Sequence, residues 1–136
     1  MKHIITLAVM LFAVVALNAE PVFIANAKVA DSSLTKDTVD GVLKGRIKSW
    51  PSGGHITLAT LKDGAVNDAV LTTYAGMNSS QFSSNWNRLV FTGKAAEPKS
   101  FGSEKDLVAY VASTDGALGY VDRTSATPEV KVIPVQ

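Results

Sequence analysis

The stretch from Ile56 to Gly76, ITLATLKDGAVNDAVLTTYAG, constrains this chain more than any other. Ile56, Leu58 and Leu61 are interleaved with Thr57 and Thr60, which predicts a strand. Asp63-Gly64 is a turn pair. Asn67 then predicts a helix cap, with Val70, Leu71 and Tyr74 on one face and Gly76 as the stop. A strand that runs straight into a helix leaves the first helical N–H groups without backbone partners beside the strand end. That is a place where an anion is favoured. The remaining segments are organised around this junction.

Val22 to Ala25 (VFIA) is a short apolar run, as expected of a buried strand. Thr35 is placed to cap a helix carrying Val39, Val42 and Leu43, with Gly45 ending it; Gly41 inside it costs roughly 1 kcal/mol relative to alanine. Arg46 to Gly54, with Trp50-Pro51 and a glycine pair, reads as a loop. Asn78 and Gln81 have capping-box spacing for a further helix with Phe82, Trp86, Leu89 and Val90 inward, and Phe91 is expected in the core with them. Phe91 to Lys94 closes it, and a loop containing Pro98 follows. Ser103 and Asp106 start a fourth helix bearing Leu107, Tyr110 and Val111. Asp115-Gly116 turns into a strand from Leu118 to Val121, and Val130 to Val135 forms the last strand, an edge one because of Pro134. Strands alternating with helices predict an α/β fold: a mostly parallel sheet flanked by helices.

The chain has 136 residues. Its start has the layout of a secretory signal peptide: Lys2 and His3, an apolar run from Ile4 to Leu17, then Ala19 before Glu20-Pro21. The run is short for a membrane span. Residues 1–19 are therefore expected to be a signal peptide, and 20–136 a single domain, periplasmic or secreted after cleavage and not embedded in a membrane. Thirteen Lys and Arg face twelve Asp and Glu, and Lys2 lies in the leader, so the rest is charge-balanced. That gives no general attraction to nucleic acid or anionic membranes. There is no cysteine, which excludes a disulfide scaffold, a lipidated terminal cysteine and thiolate chemistry.

Residues 21–122 resemble the type 2 periplasmic binding protein superfamily, specifically small single-lobe relatives of phosphate ABC transporter substrate-binding proteins. The matching words are SLTKDTVDGVLKGRIKSWPSGG, ITLATLKDGAVNDAVL, WNRLVFTGK and LVAYVASTDGALGYV, in the family's order. The resemblance implies a single binding-protein-like lobe. It implies phosphate or another small oxyanion as ligand, and an ABC permease or another envelope protein as partner. Full-length members close two lobes on the ligand, whereas this chain has one lobe's worth of sequence. The family also holds phosphate with an arginine on the strand and Ser-Gly-Thr at the helix start. Here Leu61, then Ala65, Val66 and Asn67 stand at those positions, after a preserved Asp63-Gly64. Lys62 alternates onto the other face of the strand.

The resulting candidate anion-binding residues are Asp63, Gly64, Ala65, Val66 and Asn67, with Trp50 in its Pro/Gly loop as a partly exposed aromatic beside them. A helix start merely capped by its own Asn67 is the plain alternative. His55 has no partners at metal-ligand spacing and reads as a solvent-facing loop residue. No G-x-S-x-G occurs, and Asp37 and Asp40, three apart, read as a solvated helix face. Neither a catalytic constellation nor a cofactor is expected. The basic Lys44, Arg46 and Lys48 are too few for a nucleic-acid surface. Two functions stay open: an exported solute-binding protein without enzymatic activity, or an envelope interaction module that keeps the lobe fold without a ligand.

Overall fold

The computed structural model describes residues 19–136; the expected signal peptide lies outside them, apart from Ala19. Five strands form one sheet in the order β3-β2-β4-β1-β5, where β1 is Pro21–Asn26, β2 Thr57–Leu61, β3 Lys99–Phe101, β4 Ala117–Asp122 and β5 Val130–Ile133. β2 runs parallel to β3 and β4, while β1 is antiparallel to both β4 and β5. Every strand but β1 therefore points the same way. The expected last strand is in place at the sheet edge. β3, three residues long and partly exposed, had no apolar pattern to announce it.

Helices α1 (Lys36–Leu43), α2 (Ala65–Val70), α3 (Ser79–Phe91) and α4 (Glu104–Ser113) complete the fold. The helix expected after Asp63-Gly64 starts as α2 and widens into a π-helical turn, Leu71–Ala75, before Gly76 ends it in the left-handed conformation. Three expected caps are present. Thr35 accepts the Thr38 N–H, Asn78 and Gln81 form a reciprocal capping box, and Ser103 accepts the Asp106 N–H.

The sheet is covered on both faces, which explains why β1 and β4 are continuous apolar runs and not alternating ones. Phe23, Ile24, Ala25 and Ala117 to Val121 are all buried. On one face α4 lies directly on Gly119, where a Cβ would come within 2.7 Å of Leu107. Asn26, also on that face, donates from Nδ2 to the Val111 and Ala112 carbonyls at 3.0 and 3.2 Å, satisfying the end of α4. On the other face Phe23 packs edge-on with both Tyr74 of the π turn and Tyr120. Gly41, costly for a helix, is explained by space: a Cβ there would stand 2.5 Å from Ile47 Cδ1.

Helix α3 departs from its expected packing. Trp86 and Leu89 are buried, and the Trp86 indole donates to the Leu43 carbonyl at 2.9 Å. Val90 is 39% exposed and Phe91 91% exposed. They fall one and two residues after Leu89, which carries them around the helix away from the side that packs on Leu43 and Gly45. Their expected place in the core is corrected.

Candidate functional site

Strand β2 leads into α2 through Lys62, Asp63 and Gly64, all exposed. Gly64 occupies the N-cap with φ 99° and ψ 171° and supplies no side-chain hydrogen bond. That backbone conformation is essentially restricted to glycine. The Asp68 N–H closes the first turn on the Gly64 carbonyl at 3.0 Å. The N–H groups of Ala65, Val66 and Asn67 precede it and fall among the donors a helix cannot satisfy internally. Ala65 is exposed, whereas Val66 and Asn67 are buried.

Asn67 does not cap the helix. Its side chain turns inward, and Oδ1 accepts a 2.6 Å hydrogen bond from the Tyr120 hydroxyl. The same hydroxyl accepts the Leu61 N–H at 3.3 Å. The β2–β4 ladder ends at Leu58↔Leu118, so Tyr120 replaces a ladder partner where the two strands part. Its phenol is fully buried. Burial pushes its pKa well above the ordinary value, with the Leu61 N–H pulling weakly the other way, and it serves here as a neutral bridge. Leu61 itself is buried, so the last position of the strand supplies no cation, and the exposed Lys62 follows it. The Asp63 carboxylate belongs to none of the ion pairs among the described residues.

The carboxyl ends of β3 and β4 lie at this same end of the sheet. Ser103 caps α4, and the Glu104 carboxylate accepts the Asp122 N–H. Asp122 in turn accepts the N–H groups of Glu20 at 2.9 Å and Thr124 at 3.0 Å, along with the Thr124 hydroxyl. The Thr124 hydroxyl and these two N–H groups hold the Asp122 carboxyl below the usual carboxylate range. Tyr120, Glu104 and Asp122 were not singled out from the sequence. Tyr120 sits in an apolar strand, and the two acids fall in no motif.

Trp50 does not join this group. It is buried, 4% exposed, and its indole N–H donates to the Gly116 carbonyl at 3.0 Å. The loop folds on itself through Ser49↔His55 and a 2.9 Å bond from the Trp50 N–H to the Gly54 carbonyl. These contacts place Trp50 at the beginning of β2, a strand's length of about 13 Å from its end. The expectation of a partly exposed Trp50 at the anion site is corrected: its ring anchors a loop. His55 is exposed, as expected.

Two cavities border that same amino-terminal end. One of about 320 Å³ lies among Val42, Ile47, Leu58, Trp86 and Tyr110, and one of about 510 Å³ among Trp50, Gly53, His55 and Gly116. Neither takes in Asp63 to Asn67. Among the described residues no group of three or more His, Cys, Asp or Glu side chains is disposed to hold a metal ion. No helix among them is long and apolar enough to cross a membrane.

No protein-family model matches the chain, and no curated protein matches it significantly. Solved structures do match. A phosphate ABC transporter substrate-binding protein with bound phosphate, from Clostridium perfringens, superposes with a TM-score of 0.69 at 16% identity, over 86% of this chain and 45% of that one. An ABC-type phosphate transport receptor from Vibrio cholerae gives 0.59 at 16% identity, over 86% and 46%. PstS from Borrelia burgdorferi gives 0.57 at 13%, over 87% and 47%. The chain thus spans less than half the length of these proteins. At this identity the likeness establishes the fold: one lobe-sized α/β unit of the periplasmic-binding-protein kind.

Proposed function

We propose that this chain is an exported solute-binding-type lobe, periplasmic or secreted, that takes a small oxyanion such as phosphate at the β2–α2 turn without transforming it. The observation that carries this reading is the helix start at Gly64. Its N–H groups at Ala65 and Val66 have no side-chain cap and lie at the carboxyl end of a parallel strand, where α/β sheets commonly place ligands. The solved proteins of like fold are phosphate-binding transport components, which supports the ligand class and makes an ABC permease the partner to test. Capture is weak. One lobe leaves most of a ligand in water, no arginine contributes a bidentate charge, and Asp63 is repulsive.

Calorimetric titration with phosphate and sulfate tests the reading. Saturable heat is expected, reduced in Ala65→Pro, which deletes one N–H at a helix position that tolerates proline. Absence of heat and of thermal stabilisation with either anion refutes it.

A second reading has its own support. The Tyr120–Asn67–Leu61 bridge satisfies the strand end from inside, so the lobe holds together without a ligand, as an envelope interaction module would require. In that case affinity capture from envelope extract recovers a defined protein, and anion titrations are blank.

A further inference from the structure

Glu20 is held at three points. Its backbone N–H donates to Asp122 Oδ1 at 2.9 Å, its carbonyl accepts the Arg123 N–H at 2.9 Å, and its carboxylate meets Arg123 Nε at 3.1 Å. Pro21 then opens β1 directly opposite Asp122. The second Asp122 oxygen is fixed by the Thr124 N–H and hydroxyl, so the carboxylate is aimed and cannot turn away from Glu20 without losing those bonds. This anchored nitrogen belongs to the residue that follows Leu17-Asn18-Ala19, the boundary at which the leader is expected to be removed.

We propose that hydrolysis of the Ala19–Glu20 bond turns this N–H donor into an α-ammonium for which Asp122 is the built-in counter-ion, fastening the new chain terminus to the end of β4. The proposal rests on the export reading above. In the step, water gives its hydroxyl to the Ala19 carbonyl and a proton to the Glu20 nitrogen, which takes up a further proton at neutral pH; a signal peptidase is the catalyst. The geometry needed is already present, so processing changes charge and not shape. A neutral N–H···O⁻ bond becomes one with both partners ionised, the stronger class of hydrogen bond. The other charged groups facing the pair are the Arg123 guanidinium, the Glu20 carboxylate and the Glu104 carboxylate on the Asp122 N–H. One cation against two further carboxylates leaves the balance in favour of a protonated amine. Glu20 and Arg123 are largely exposed, which makes the attraction sensitive to salt.

The full chain, expressed with its leader in a secreting bacterial host, tests this. Intact mass and terminal sequencing of the exported protein are expected to show Glu20 first. Titration of its α-amino group, by NMR or by pH-dependent reductive methylation, is expected to place it above the ordinary range of about 7.7–8.0. The value returns to that range in Asp122→Asn and at high salt. Should Asp122→Asn fail to fold, one glycine inserted before Glu20 moves the ammonium off the carboxylate and gives the same return. A terminus elsewhere, or a retained leader, overturns the cleavage boundary. A terminus at Glu20 whose amine titrates alike in all three proteins overturns the ion pair while leaving the export reading intact.

Discussion

Helices α2 and α4 begin at the same end of the sheet, each at the carboxyl end of a parallel strand, yet their starts are chemically opposite. At α4 the Ser103 hydroxyl takes a first-turn N–H, and Glu104 is bound to the Asp122 N–H. At α2 the N-cap is a glycine, the first-turn Asn67 side chain faces the core, and Asp68 beside it is exposed. A helix start is available to a ligand only where the sequence withholds its own cap. Withholding it is not sufficient, because the bare start of α2 also lacks an arginine fork and carries Asp63 beside it.

The contrast is broken most severely at Tyr120. Tyr120→Phe leaves the Leu61 N–H and Asn67 Oδ1 buried without a partner, an expected loss of about 1–3 kcal/mol in urea denaturation. A variant as stable as the parent shows that the bridge does not support the strand end. Next comes Ser103→Ala, which makes the α4 start resemble α2 and is expected to cost about 1 kcal/mol, read from the same denaturation midpoints. Asp63→Asn is smaller. Removing a negative charge just before the α2 N-terminus costs roughly 0.3–1 kcal/mol at low salt while strengthening phosphate binding, so stability and calorimetric affinity move in opposite directions. If affinity falls instead, the anion does not sit at α2.

The smallest effect lies away from both starts. Asp40 is paired with Lys44 and Arg46, each at 2.7 Å. The Lys44 hydrogen bond, with its charge and the hydrogen bond and charge of Arg46, holds the Asp40 carboxyl below the usual carboxylate range despite the opposing effect of partial burial. A depressed carboxylate stabilises the fold above its unfolded value, and that contribution disappears as pH falls through the lower folded value. Urea midpoints should therefore drop slightly between pH 5 and pH 3, and drop less in Asp40→Asn. Surface pairs of this kind contribute about 0–1 kcal/mol.

Features written in neighbouring residues were legible. The Asn78/Gln81 box, the Ser103 cap, the glycine stops at Gly45 and Gly76 and the apolar runs of β1 and β4 all took the expected form, because each depends on contacts a few residues apart. Asn67 was misplaced as a cap because Gly64 could take the role through its backbone alone, and a glycine gives no side-chain sign of it. Trp50 was misplaced because a Pro/Gly loop looks exposed until Gly116, sixty-six residues on, offers its carbonyl. Phe91 departs from expectation because apolar character does not state which side of a helix is packed.

The sequence by itself determined the α/β alternation, the strand–turn–helix from Ile56 to Gly76 and the apolar identity of Leu61, Ala65 and Val66 at that junction. Those follow from side-chain period, turn chemistry and residue identity. Only the tertiary structure decided that Asn67 serves Tyr120, that Trp50 stands at the far end of β2, and that Glu20 meets Asp122. Each of those contacts joins residues distant along the chain, and the partner of a buried polar group is set by which strands and helices the sheet brings together.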